Sequence, residues 1–176
     1  MESYLPVVYL SILLVLLSGT AWFIFRQVLK TRKVETALTR LQNKLKSEKG
    51  TAQEYYELGS IYLDKKLFAQ AIVVLQKALK ESEGETNENL ALIYNGLGFA
   101  YFAQEQFDLA IRNYKEALKL QPDYVTGLNN LGHAYERKKL TAQALQVYEE
   151  ALTREPNNQT AKRRAESLRK RFVASA

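Results

Sequence analysis

The chain has 176 residues, with 25 Lys and Arg against 19 Asp and Glu, one His and no Cys. Lacking Cys, it has no disulfide framework, thiol catalysis or Cys-ligated zinc, and a lone His133 excludes multi-His metal sites. Eight Gly and three Pro are about half the usual share of turn formers, so long helices with short connections are expected.

In chain order, the first predicted element is residues 5–25, LPVVYLSILLVLLSGTAWFIF, without a single charge. As a helix rising about 1.5 Å per residue it covers roughly 30 Å, the thickness of a bilayer core. Its Leu, Ile, Val and Phe outweigh Pro6, Ser11, Ser18, Gly19 and Thr20, and Tyr4 and Trp22 stand near the two ends where aromatic rings favour the interface. The rival is a cleaved secretory signal, with Ser18-Gly19-Thr20-Ala21 as its cleavage site. That reading needs a basic start and a shorter apolar run, whereas residues 1–4 carry only Glu2. The expectation is therefore a retained transmembrane anchor over 1–25. Arg26, Lys30, Arg32 and Lys33 follow it, and no Lys or Arg precedes it. The positive-inside rule then places the N-terminus in the lumen or periplasm and the rest in the cytoplasm or stroma.

The charge is unevenly distributed. Residues 26–50 hold eight basic and two acidic side chains, residues 51–161 hold 11 and 15, and residues 162–176 hold six and one. An acidic body between two basic ends does not read as a nucleic-acid binder. The basic residues after the anchor set topology and meet anionic lipid, at about 1 kcal/mol each. Within the juxtamembrane helix or linker of 26–50, Val34, Leu38, Leu41 and Leu45 recur at heptad spacing over about two heptads. A solvated helix and a weak homodimer contact both fit. Gly50-Thr51 marks the next boundary.

A repeat follows. Tyr55, Leu58, Gly59 and Tyr62 align with Tyr94, Leu97, Gly98 and Tyr101, and with Leu128, Leu131, Gly132 and Tyr135. Twelve residues after each Gly stand Ala71, Ala110 and Ala144, and seven later Ala78, Ala117 and Ala151; Pro122 and Pro156 close the last two units. A mid-helix Gly costs about 1 kcal/mol against Ala, so it marks a close backbone approach. The small Ala of the second helix is the expected partner of each Gly. Asp123 and Asn157 or Asn158 are expected to cap the helices that follow the prolines.

These residues resemble the tetratricopeptide repeat (TPR) family and its W-x2-L-G-x2-Y…A-x3-F…A…P pattern over about 51–157, in units at 52–85, 91–124 and 125–158. Tyr or Leu replaces the leading Trp, and Leu75, Tyr114 and Tyr148 hold the aromatic position. The first unit lacks the Pro, and Gly59 to Gly98 exceeds the period by five residues, an excess assigned to the loop at 81–88. Residues 158–176 then close the stack. Ala161, Ala165, Leu168 and Phe172 line one side of a basic helix that reads as a solvating cap, and equally as a docking element. The expected fold is all-α: a transmembrane helix, three helical hairpins in a right-handed solenoid, and a capping helix.

No nucleophile motif, phosphate loop or carboxylate set with metal-ligand spacing is present, so neither enzyme activity, cofactor nor metal is expected. The resemblance implies a concave groove lined by first helices. Its positions here are Tyr56, Ser60 and Leu63; Asn95, Phe99 and Phe102; and Asn129, His133 and Glu136. For Phe102 packing between repeats is an equal alternative, and for His133 an ordinary half-exposed site. Chaperone-tail receptors of this family present a basic clamp, whereas Tyr56, Ser60, Asn95, Thr126 and Asn130 stand at those positions and only Asn95 fits. Over nearly the whole length, the layout resembles the membrane-anchored TPR proteins of cyanobacteria and plastids that assist photosystem I assembly. What this implies is a thylakoid scaffold with photosystem I subunits as partners. A membrane receptor for protein targeting or co-chaperone docking is the alternative.

Overall fold

Residues 5–47 fold as one unbroken helix, α1 (Leu5–Ser47), in a computed structural model that describes residues 4–174, and of residues 5 and 172–174 the backbone alone. Glu2 and the side chain of Phe172 thus lie outside the described residues. Pro6 sits in the first turn, where its missing N–H is unneeded by the ladder. The Ser and Thr hydroxyls of the apolar stretch are satisfied within the helix. Ser11, Ser18 and Thr20 donate to the carbonyls of Val7, Leu14 and Leu17 at 2.8, 2.8 and 2.9 Å. Such back-bonding hides hydroxyls from an apolar solvent. This helix is long and apolar enough to cross a membrane.

The chain divides into two compact units, Met1–Ser47 and Glu48–Ala176. Among the described residues the second is built from helices only: α2 (Ala52–Asp64), α3 (Phe68–Lys80), α4 (Asn87–Ala103), α5 (Phe107–Leu120), α6 (Val125–Arg137), α7 (Thr141–Arg154) and α8 (Gln159–Ala174). The pairs α2 with α3, α4 with α5, and α6 with α7 form hairpins, and each second helix packs on the next unit. The first helices also touch one another, α2 with α4 and α4 with α6, so they form a continuous inner row.

The small residues of the motif are where packing is tightest. Ala71, Ala78, Ala110, Ala117, Ala144 and Ala151 are fully buried. The nearest side chain to each of the three glycines is not the expected alanine but the large residue four positions after the first alanine. A Cβ on Gly59 would meet Leu75 at 2.6 Å, on Gly98 the Tyr114 ring at 2.6 Å, and on Gly132 the Tyr148 ring at 2.7 Å. Each Gly is thus the socket for a buried knob, and the alanines let the backbones close around it.

All three hairpin turns repeat one geometry. Lys66, Glu105 and Lys139 lie at φ 60°, in the left-handed region. Leu67, Gln106 and Leu140 then donate back to the carbonyls of Tyr62, Tyr101 and Tyr135 at 2.8, 2.9 and 2.9 Å, a Schellman closure. The same three residues accept the first bond of the next helix, from Ala71, Ala110 and Ala144. One residue therefore ends one helix and starts the other, at a cost of about 1–2 kcal/mol for a non-Gly residue at positive φ.

The caps differ partly from expectation. Thr51 and Glu54 form a reciprocal capping box on α2, and Thr86 accepts from the Asn89 N–H on α4. Asn158 caps α8, its Oδ1 accepting from the Ala161 N–H at 2.9 Å. Asp123 does not cap α6: Tyr124 occupies the cap position and supplies no side-chain bond. Nor does the 81–88 loop absorb the whole five-residue excess, because Asn87 and Glu88 already belong to α4, which has 17 residues against 13 in α2 and α6. At the C-terminal end Ala161, Ala165 and Leu168 are buried as α8 packs on α7.

Candidate functional site: the inner row of first helices

The nine groove positions fall on α2, α4 and α6, three to a helix, and none is fully buried. Tyr56, Ser60 and Leu63 are half-buried, and Tyr56 lines a small cavity of about 80 Å³ with Gln53, Glu85 and Asn89. Phe99 is the most open of the set at 43% exposure, its ring meeting Phe68 edge-on at 6.2 Å between centroids. Phe102 is held on both sides, against Phe107 at 5.5 Å and His133 at 4.7 Å. The Arg137 guanidinium lies 5.8 Å from the Phe102 centroid and 4.8 Å from that of Phe107, within cation–π range. Phe102 therefore packs between neighbouring repeats, the alternative to an open groove position.

The amides of the row hold neighbouring units together. Asn130 Nδ2 donates to Asn95 Oδ1 at 2.9 Å, and Asn129 Nδ2 to Asn158 Oδ1 at 3.3 Å. Asn129 Oδ1 is buried with no hydrogen-bond partner. Glu136 accepts from the Tyr148 hydroxyl at 2.7 Å and pairs with Arg164 of α8 at 3.5 Å. Burial, then the Glu136 contact, pushes the Tyr148 hydroxyl's pKa upward, so it stays a proton donor. His133 moves the other way: burial, with Arg164 and Arg137, holds its pKa below 6.5, and Glu136 opposes the shift.

Sequence reasoning missed Arg164, Phe68 and Phe107 as neighbours of this row. Phe68 and Phe107 open the second helices one residue after the Schellman turn, so only the turn geometry brings them to the inner edge. Arg164 was read with the basic cap; its place immediately before buried Ala165 was the signal available.

With three stacked hairpins and their inner row established, comparison with known proteins identifies the group. Residues 52–84 and 125–158 match the tetratricopeptide repeat and residues 100–139 the TPR repeat. The uncharacterized protein ycf37 of Cyanophora paradoxa is 38% identical over 125 residues, covering 71% of this chain and 72% of the relative. The chain belongs to the ycf37 family of tetratricopeptide-repeat proteins. Another ycf37, from Pyropia yezoensis, is 35% identical and covers 94% of this chain and 96% of its own, so the similarity extends into α1. The chloroplastic tetratricopeptide repeat domain-containing protein PYG7 of Arabidopsis thaliana is 38% identical, but the match spans 71% of this chain and only 41% of that protein. Among solved structures, MamA superposes with a TM-score of 0.74 at 22% identity, covering 82% of this chain and 81% of that one, which establishes the fold. The TPR body is thus a protein-interaction module.

Proposed function

We propose that this ycf37-family chain is a membrane-anchored scaffold that assists assembly or stabilisation of a membrane complex, photosystem I in particular, and acts by binding rather than catalysis. The observation that carries the reading is the union, in one chain, of a helix apolar enough to span a bilayer and a TPR body whose inner row offers aromatic and amide side chains. Anchoring raises the effective concentration of that row near membrane partners. Tyr56, Ser60, Leu63, Asn95, Phe99, Phe102, Asn129, His133 and Glu136 form the partner-facing surface, with Phe99 its open apolar contact. The basic run after residue 25 keeps this body on the stromal or cytoplasmic face of the thylakoid. The photosystem I partner follows from the family resemblance, and the chloroplastic relative supports it.

Lysine-reactive crosslinking in isolated thylakoids tests this. Lysines of the TPR body, such as Lys77 and Lys115, should crosslink to photosystem I subunits exposed on the stromal side. Crosslinks to lumenal proteins alone, or to membrane complexes other than photosystem I, would refute the reading.

A further inference from the structure

Past the apolar stretch, the basic residues of α1 are not spread around its circumference. At about 100° per residue, Trp22, Arg26, Leu29, Lys30 and Lys33 fall within about 100° of one another. Arg32 falls about 60° beyond Leu29, outside this arc, and Glu35, the single acidic residue of α1, lies on the opposite side. The Arg26 guanidinium sits 5.6 Å from the centre of the Trp22 ring. Along this stripe runs an open groove of about 580 Å³, lined by its five residues together with Phe23 and Gln27. Trp22 and Leu29 are exposed, at 63% and 45%.

We propose that this stripe is a binding site for the headgroup of an anionic lipid in the leaflet where α1 leaves the membrane. The proposal rests on the reading of α1 as a membrane span. Arg26, within cation–π range of Trp22, presents a fork suited to phosphate oxygens. Lys30 and Lys33 add two point charges one and two turns further from the apolar core, and their combined field disfavours a choline headgroup. Leu29 and Trp22 meet the start of the acyl chains, with the indole N–H at headgroup depth. The occupant is a lipid because the site begins within the apolar stretch and ends in the basic run, spanning roughly 16 Å along the axis.

Trp22 is the sole tryptophan of the chain, so its fluorescence reports the site directly. The full chain is reconstituted into vesicles of phosphatidylcholine and phosphatidylglycerol in which one lipid or the other carries brominated acyl chains at equal mole fraction. Brominated phosphatidylglycerol should quench Trp22 about 2-fold or more beyond brominated phosphatidylcholine. The R26Q/K30Q/K33Q variant should lose the preference, and K46Q, far along α1 and off the stripe, should keep it. Equal quenching by both lipids in the native chain, or a preference that survives the triple variant, overturns the site while leaving the anchor intact. No quenching by either lipid overturns the membrane span and the site with it.

Discussion

Gly98 shows how one atom sets the spacing of a hairpin. Its absent Cβ would lie 2.6 Å from the ring of Tyr114, which is only 1% exposed and cannot swing away. Gly98→Ala should therefore lose about 1–3 kcal/mol in urea unfolding followed by circular dichroism. Gly19→Ala, with nothing within 4 Å, should lose none; equal effects would mean the socket is compliant. His133 supplies a second prediction. Its pKa is depressed by burial and by Arg164 and Arg137, so the fold favours the neutral ring. The unfolded chain takes up the proton first, so this contribution is complete above 6.5 and is lost as pH falls through that value to the lower folded pKa. Proton NMR of this single His should give a midpoint below 6.5, and His133→Gln should flatten the acid-side loss of stability. A midpoint at or above 6.5 would contradict the burial account.

Between helices, the joints matter most. Asn158 accepts from the Ala161 N–H and from Asn129, so one side chain starts α8 and links it to α6. Asn158→Ala should cost about 1–2 kcal/mol and speed amide exchange throughout α8, whereas Asn157→Ala, on an exposed neighbour, should do neither. Equal exchange in the two variants would assign the closure of the stack to the buried Ala161, Ala165 and Leu168 alone. Element boundaries show what a sequence can carry. Thr51 with Glu54 is a capping box in plain view, and Gly at a fixed distance from Ala betrays close packing because few other constraints keep Gly inside a helix. The identity of the knob was hidden: spacing says that something comes close, while the direction of the second helix decides that it is Tyr114 rather than Ala110. The left-handed turns were hidden too, since Lys66, Glu105 and Lys139 replace the glycine that would announce them. The extra turn of α4 escaped because Asn87 and Glu88 read as loop formers, although Thr86 before them was the cap.

Across the whole molecule, one net charge and one mean hydropathy concealed an apolar helix, a basic run and an acidic repeat body, and dividing the chain made each legible. Which inner-row groups remain available to a partner was not legible, because that depends on contacts between units. Asn95 is engaged by Asn130, Asn129 by Asn158, and Glu136 by Tyr148 and Arg164, while Phe99, at 43% exposure, stays the most open position of the row. The most direct measurement is mild-detergent capture of the tagged full-length protein from thylakoids, alongside a Ser60→Arg/Phe99→Ala variant of unchanged helicity. Photosystem I subunits should co-purify with the native chain and fall about 10-fold with the variant. Equal recovery with both chains, or none with the native one, would contradict a groove-bound assembly scaffold.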